Sequence, residues 1–166
     1  NYSLLPQREI SDYDFFLNRK SEVYCYNRQD VKVAAGWIVT APADLAPEQE
    51  DLFFQTTSDF LIERYGEKNT ICSVVHGDEG GRKHLHYVFI PVVEDTKRDC
   101  EKICAVEVIT PSELRCFHPA LQKCLDDAGV DCHVMTGITR EIGGSISVED
   151  LKKAEMLIDR KRGFTW

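Results

Sequence analysis

The chain has 166 residues, 43% of them hydrophobic and 29% charged, a balance that excludes a disordered polypeptide and allows one closed hydrophobic core. Lys and Arg number 20 against 28 Asp and Glu, giving a net charge of −8, which speaks against indiscriminate binding to nucleic-acid phosphates without excluding a local basic groove. No apolar run approaches the roughly 20 residues of a membrane helix, and the opening NYSLLPQREI lacks a basic-then-apolar leader pattern, so the sequence reads as one cytoplasmic domain over residues 1–166. Seven cysteines, an odd count without a CxxC pair, point to free thiols in a reducing compartment. Cys72, Cys116 and Cys124 fall on apolar stripes, where a thiol serves as a small hydrophobe.

The first thirty residues are polar and aromatic without clean periodicity and predict loops and short helical turns. Residues 31–40, VKVAAGWIVT, read as a strand whose apolar residues fill both faces, as in a sheet interior. A helix is expected from Pro47 to Tyr65, with proline and acids at its start, Phe53, Phe60 and Leu61 on one stripe, and Gly66 as the stop. Residues 70–76 and 84–93 predict two strands of an antiparallel hairpin joined by the loop GDEGGRK. The TPSE segment at 110–113 reads as a capping box, followed by Leu114, Phe117, Leu121 and Leu125 at helical spacing until Gly129. Residues 130–137 are a further strand candidate, and SVED at 147–150 caps a last helix carrying Leu151, Ala154 and Leu157. Three helices with four or five strands predict an α+β fold in which helices pack on an antiparallel sheet.

The chemistry concentrates in eleven residues, His76-Gly-Asp78-Glu79-Gly-Gly-Arg-Lys-His84-Leu-His86. Side chains two apart on a strand share a face, so His84 and His86 present adjacent imidazoles while Leu85 turns away. His76 ends the preceding strand, and the hairpin folds it back beside the pair. Three neutral nitrogens then converge with room for solvent or substrate, as a catalytic metal requires. A single strand histidine is usually just a hydrogen-bonded structural residue, but three in this pattern on apolar strands would be costly to bury without a shared partner. Asp78 or Glu79 would add a ligand, orient a histidine or move a proton, three roles that the sequence leaves open. Arg82 and Lys83 place positive charge beside the histidines. Lys152, Lys153, Arg160, Lys161 and Arg162 form a second cluster that reads at least as well as a solvated helix face. His118, in the capped helix, and His133, in an apolar segment, read as structural.

At these residues the chain resembles the Mob/Pre plasmid mobilisation proteins, the MobV family of relaxases, whose metal motif is H-x-D-E-x-x-P-H-x-H. The resemblance extends to NYSL, GWIVTAP, FLIERYGEKN, the FIPVV after the motif, FHPALQKCLDDAGV and GITREIGGSISVEDLKK. It implies a His-hydrophobe-His endonuclease in which His76, His84 and His86 hold manganese or magnesium, although three nitrogens would hold zinc at least as well. It further implies Glu79 as the accompanying acid. The implied substrate is single-stranded DNA with a transfer-origin hairpin, nicked and rejoined through a covalent protein–DNA intermediate, with Arg82 and Lys83 as candidate DNA contacts.

The chain departs from the pattern in having Lys83 where the family has proline, and in one extra loop residue. By the same resemblance the nucleophile, a histidine, and the first strand of the sheet belong to a stretch ahead of Asn1. Tyr24 and Tyr26 are the substitutes this sequence offers. Two other readings share the motif: a rolling-circle replication initiator, and a non-catalytic DNA-binding domain that keeps the metal for structure.

Overall fold

The computed structural model describes residues 1–78 and 81–134. Its centre is a four-stranded antiparallel sheet made of β1 (Tyr2–Ser3), β2 (Ala35–Thr40), β3 (Thr70–His76) and β4 (His84–Phe89), in the order β1-β3-β4-β2. The expected hairpin is the middle pair. Its second strand ends earlier than expected, because Ile90 and Pro91 interrupt it and the chain leaves for a second sheet of β5 (Val92–Asp95) and β6 (Cys100–Ile103). A proline has no N–H to continue a ladder.

Strand β2 is shorter than its apolar run and lies at the sheet edge, not in the interior. Trp37 and Val39 turn inward, while Gly36, Ile38 and Thr40 face outward, Ile38 with 66% of its surface exposed. Residues filling both faces therefore do not mean burial on both faces here.

Helix α1 (Asp12–Glu22), where only short turns are expected, starts at Ser11, whose hydroxyl accepts the Asp14 N–H at 3.0 Å. Its buried residue is Arg19, which donates to Asn69 at 3.0 Å and pairs with Glu101 at 2.7 Å. A helix whose inward position is an arginine shows no apolar stripe. Helix α2 (Glu50–Tyr65) follows a single 3-10 turn at Pro47–Gln49. It stops at Gly66, whose φ of 91° favours glycine and whose N–H closes on the Ile62 carbonyl.

A short α3 (Ala105–Val108) leads to α4 (Pro111–Asp127), where the Thr110 hydroxyl accepts the Glu113 N–H at 3.0 Å. The second half of the capping box does not form. The Glu113 carboxylate turns instead to Arg64, at 2.5 and 2.8 Å, and to the Tyr65 hydroxyl at 2.8 Å, which ties α4 to α2. Phe117, Leu121 and Leu125 are buried as expected, whereas Leu114 and Cys116 are exposed.

Residues 130–134 do not form the expected strand. Gln49, Asp44 and Gln122 side chains accept from the N–H groups of Asp131, His133 and Val134, and the Cys132 carbonyl accepts from Gln122. Those backbone groups are satisfied without a ladder. Residues 135–137 of that candidate, the SVED helix and the C-terminal basic cluster lie outside the described residues.

The core fills one face of the sheet. Phe53, Phe54 and Leu61 of α2 join Phe117, Leu121 and Leu125 of α4 against Val75, Leu85, Tyr87 and Phe89. Trp37 stacks on Phe117 at 3.7 Å and donates to the Tyr65 hydroxyl at 2.9 Å. The Tyr87 hydroxyl lies among these groups and donates to the Leu61 carbonyl at 3.1 Å, and burial pushes its pKa up to about 12. A smaller cluster of Val23, Ile71, Ile90 and Ile103 sits under the second sheet.

Leu85 sits between two histidines in sequence yet is fully buried. Leu85→Ala is expected to lower unfolding stability by about 2–5 kcal/mol, measured by urea titration, because the helices above it cannot fully close the cavity.

Candidate metal centre

The strand register determines which side chains meet. His76 lies opposite His84, Val74 opposite His86, and on the other side Thr40 and Ile38 stand opposite His84 and His86. The alternation that buries Val75 and Leu85 therefore turns all three histidines to the opposite, open face. Their ring centroids are 4.6 Å (His76–His86), 4.9 Å (His84–His86) and 5.7 Å (His76–His84) apart, and each residue is half-buried.

One ring nitrogen from each lies within 4.8 Å of the other two, and among the described residues this is the cluster of three or more potential ligands with metal-binding spacing. A shared ion with bonds of about 2.0–2.1 Å holds its nitrogens about 3 Å apart, so the three rings would turn inward to share one ion. The donor set fits a borderline divalent metal, with positions left for oxygen ligands.

The His84 ring is already oriented. Its Nδ1 lies 3.1 Å from the Arg82 carbonyl, which can only accept, so Nδ1 carries the proton in this bond and Nε2 is the ring's candidate ligand atom.

The loop between the strands is fastened at both ends. On one side the Asn1 amide donates to the Asp78 carboxylate at 2.9 Å and accepts the Gly77 N–H at 3.2 Å. On the other, Lys83 pairs with Glu50 at the start of α2, and its carbonyl accepts the Ala41 N–H at 2.9 Å. Asp78 is thus engaged by Asn1, Lys83 reaches toward α2, Arg82 is exposed on the loop, and Glu79 lies outside the described residues. Asp51, next to Glu50, accepts from the Tyr2 hydroxyl at 3.2 Å, and partial burial together with this carboxylate raises the Tyr2 pKa.

Sequence reasoning missed Asn1 and Glu50. The register Tyr2 opposite Val75 places Asn1 beside His76, but β1 is only two residues long and carries no periodic signal. The other candidates lie elsewhere. Tyr24 and Tyr26 pack on each other and on Arg98, whose guanidinium donates to the Tyr26 hydroxyl at 3.0 Å, and Tyr24 bridges to Lys102 of β6. Their partners belong to the second sheet. His118 is exposed on α4, edge-on to Phe117. His133 is also exposed and binds Asp44 through Nδ1 at 2.7 Å.

The Mob_Pre family model, described as plasmid recombination enzyme, matches residues 18–135. The chain belongs to the Mob/Pre family of plasmid relaxases. A plasmid recombination enzyme of Bacillus thuringiensis is 32% identical over 119 residues, covering 69% of this chain and 25% of the relative. One from Lactiplantibacillus plantarum is 25% identical over 169 residues, covering 93% of this chain and 45% of the relative. The chain thus spans less than half the length of either. Among solved structures, the MobM relaxase domain, a Mob_Pre protein bound to plasmid pMV158 oriT DNA with manganese, superposes with a TM-score of 0.73 at 24% identity, over 92% of this chain and 78% of that one. The antiparallel α+β fold is therefore the family's fold.

Two measurements check this description. His86→Ala should weaken manganese binding, followed by calorimetry, at least about 100-fold, more than the 10–100-fold typical of losing a group that only orients a ligand. The second concerns His133, whose pKa its hydrogen bond to Asp44 raises while the Asp44 pKa is lowered by the same contact. The tie is therefore complete between the ordinary carboxylate and histidine ranges, and it is lost as pH rises through the raised His133 value or falls through the lowered Asp44 value. Asp44→Asn should move the His133 titration downward in an NMR pH series.

Proposed function

We propose that this chain is the metal-binding core of a DNA relaxase that nicks and rejoins single-stranded DNA at a transfer origin through a covalent protein–DNA intermediate. The observation that carries the reading is the convergence of His76, His84 and His86 on the face of an antiparallel sheet opposite its main helix-packed core. Family membership supports nicking chemistry in general. The manganese and oriT DNA of the MobM structure support the cofactor and the substrate class.

Manganese is the proposed ion, because a shell of three imidazoles completed by phosphate or water oxygens suits it better than magnesium, and zinc would also be held. Such an ion supplies charge neutralisation at the scissile phosphate and polarises a phosphoryl oxygen. The chain's own residues do the rest of the positioning. The Arg82 carbonyl keeps the His84 proton on Nδ1, and Asn1 holds the Asp78 carboxylate aside. Glu79 is proposed as the acid that assists the centre.

Ile38 and Val74 lie on the histidine side of the sheet by strand alternation, whereas Val88 on that side packs against the second core cluster. The first two offer an apolar floor against which sugars and bases of an unpaired strand can pack. Recognition by such contacts and by hairpin shape fits a chain of net charge −8 better than phosphate attraction alone.

The test uses full-length protein, manganese, and oligonucleotides carrying candidate origin hairpins with a single-stranded flank. A protein–DNA adduct stable to denaturing electrophoresis is expected, absent after chelation and in His84→Ala. Manganese-loaded protein that binds hairpins but never cleaves would instead establish the structural-metal, non-catalytic reading.

A further inference from the structure

We propose that Glu50, at the start of α2, is a positioning residue for the metal centre: its ion pair with Lys83 fixes the peptide whose carbonyl orients the His84 ring. The inference rests on the metal-site reading above. The path is short and continuous. The Glu50 carboxylate meets the Lys83 ammonium. The Lys83 carbonyl is pinned on the sheet side by the Ala41 N–H at 2.9 Å. The carbonyl of the preceding residue, Arg82, receives the His84 Nδ1 proton at 3.1 Å.

Gly77 and Gly81, one at each described end of the loop, restrict the backbone least of all residues. Restraint at its exit comes from contacts outside it, the Ala41 N–H and the Glu50 carboxylate. Lys83 is suited to this, since strand alternation puts it on the helix side with Leu85 and not on the open face with His84. The same contact gives Lys83 a role that needs no DNA.

Calorimetric titration of manganese into the full chain, without DNA, tests the inference independently of nicking. Glu50→Gln and Lys83→Met should each weaken manganese binding by about two- to fivefold, the scale of a partly exposed ion pair, and the double variant should be no worse than either. Glu50→Asp should fall between wild type and Glu50→Gln. The exchange Glu50→Lys with Lys83→Glu should recover part of the loss. Lys83→Pro should recover affinity without any ion pair, because a proline restricts the residue before it to extended conformations and so fixes Arg82 by another means.

Circular dichroism melting separates general unfolding from a local effect, and the neighbouring Glu48→Gln is the control expected to bind as wild type does. Single variants with unchanged manganese affinity, or losses that add in the double variant, would overturn the proposal. A protein that binds manganese with these dependences yet forms no DNA adduct sinks the nicking reading and leaves this one standing. Failure of the wild type to bind manganese sinks both.

Discussion

The pairing of His76 with His84 across the β3–β4 hairpin is the constraint from which both the core and the candidate site follow. In a strand, each residue's face is fixed by its parity, so one register serves two purposes. It sends Val75, Leu85 and Tyr87 under the helices and His76, His84 and His86 to the open side. A slip of one residue would expose the core and bury three imidazoles. The large area buried by Leu85, Tyr87 and Phe89 therefore holds the histidines in register, although none of these residues touches the open face.

Under the proposed function, the histidine face accepts an anionic partner on a chain with 28 acids. The acids nearest the loop are each engaged locally: Asp78 by the Asn1 amide, Glu50 by Lys83, and Asp51 by the Tyr2 hydroxyl. Among the described residues, these three carboxylates are therefore all paired before they could face the histidine row. Among the described residues of the sheet beside the rings, Ile38 is exposed and apolar, and Arg82 on the loop is exposed and cationic. Coulombic attraction is consequently concentrated at Arg82 and where an ion would sit, which favours a substrate placed by its phosphate there and by packing elsewhere.

The legible parts of the fold were those with local signals. The histidine hairpin follows from period-two alternation over a short span, and α2 and α4 from proline, acids and hydroxyl caps at their starts and glycine beyond their ends. Illegible parts were fixed by distant contacts. Helix α1 buries an arginine whose partners, Asn69 and Glu101, are far along the chain. The segment at 130–134 looks like a strand, but its backbone is claimed by Gln49, Asp44 and Gln122 side chains. Strand β2 has an interior's composition and an edge's position, because its outward residues border the site. At the site the three rings could be read from the motif. Asn1 and Glu50 could not, since their importance lies in register and proximity.

The lysine that stands where the family motif has proline gives these contacts a common meaning. A proline before the first histidine of the pair would stiffen the loop exit through the backbone alone, at all salt concentrations and without a partner. This chain has a loop one residue longer and a lysine, which transfers the restraint to a side-chain pair with the helix opposite. Helix α2 thereby becomes part of the metal centre's support. Its other end is bound to α4 through Arg64, Tyr65 and Glu113. The rigidity of the His84 ring then depends on how the helical layer sits on the sheet, so a substitution that shifts α2 disturbs the site without touching a histidine. The restraint is a tertiary one, and it works only in the folded, helix-covered sheet.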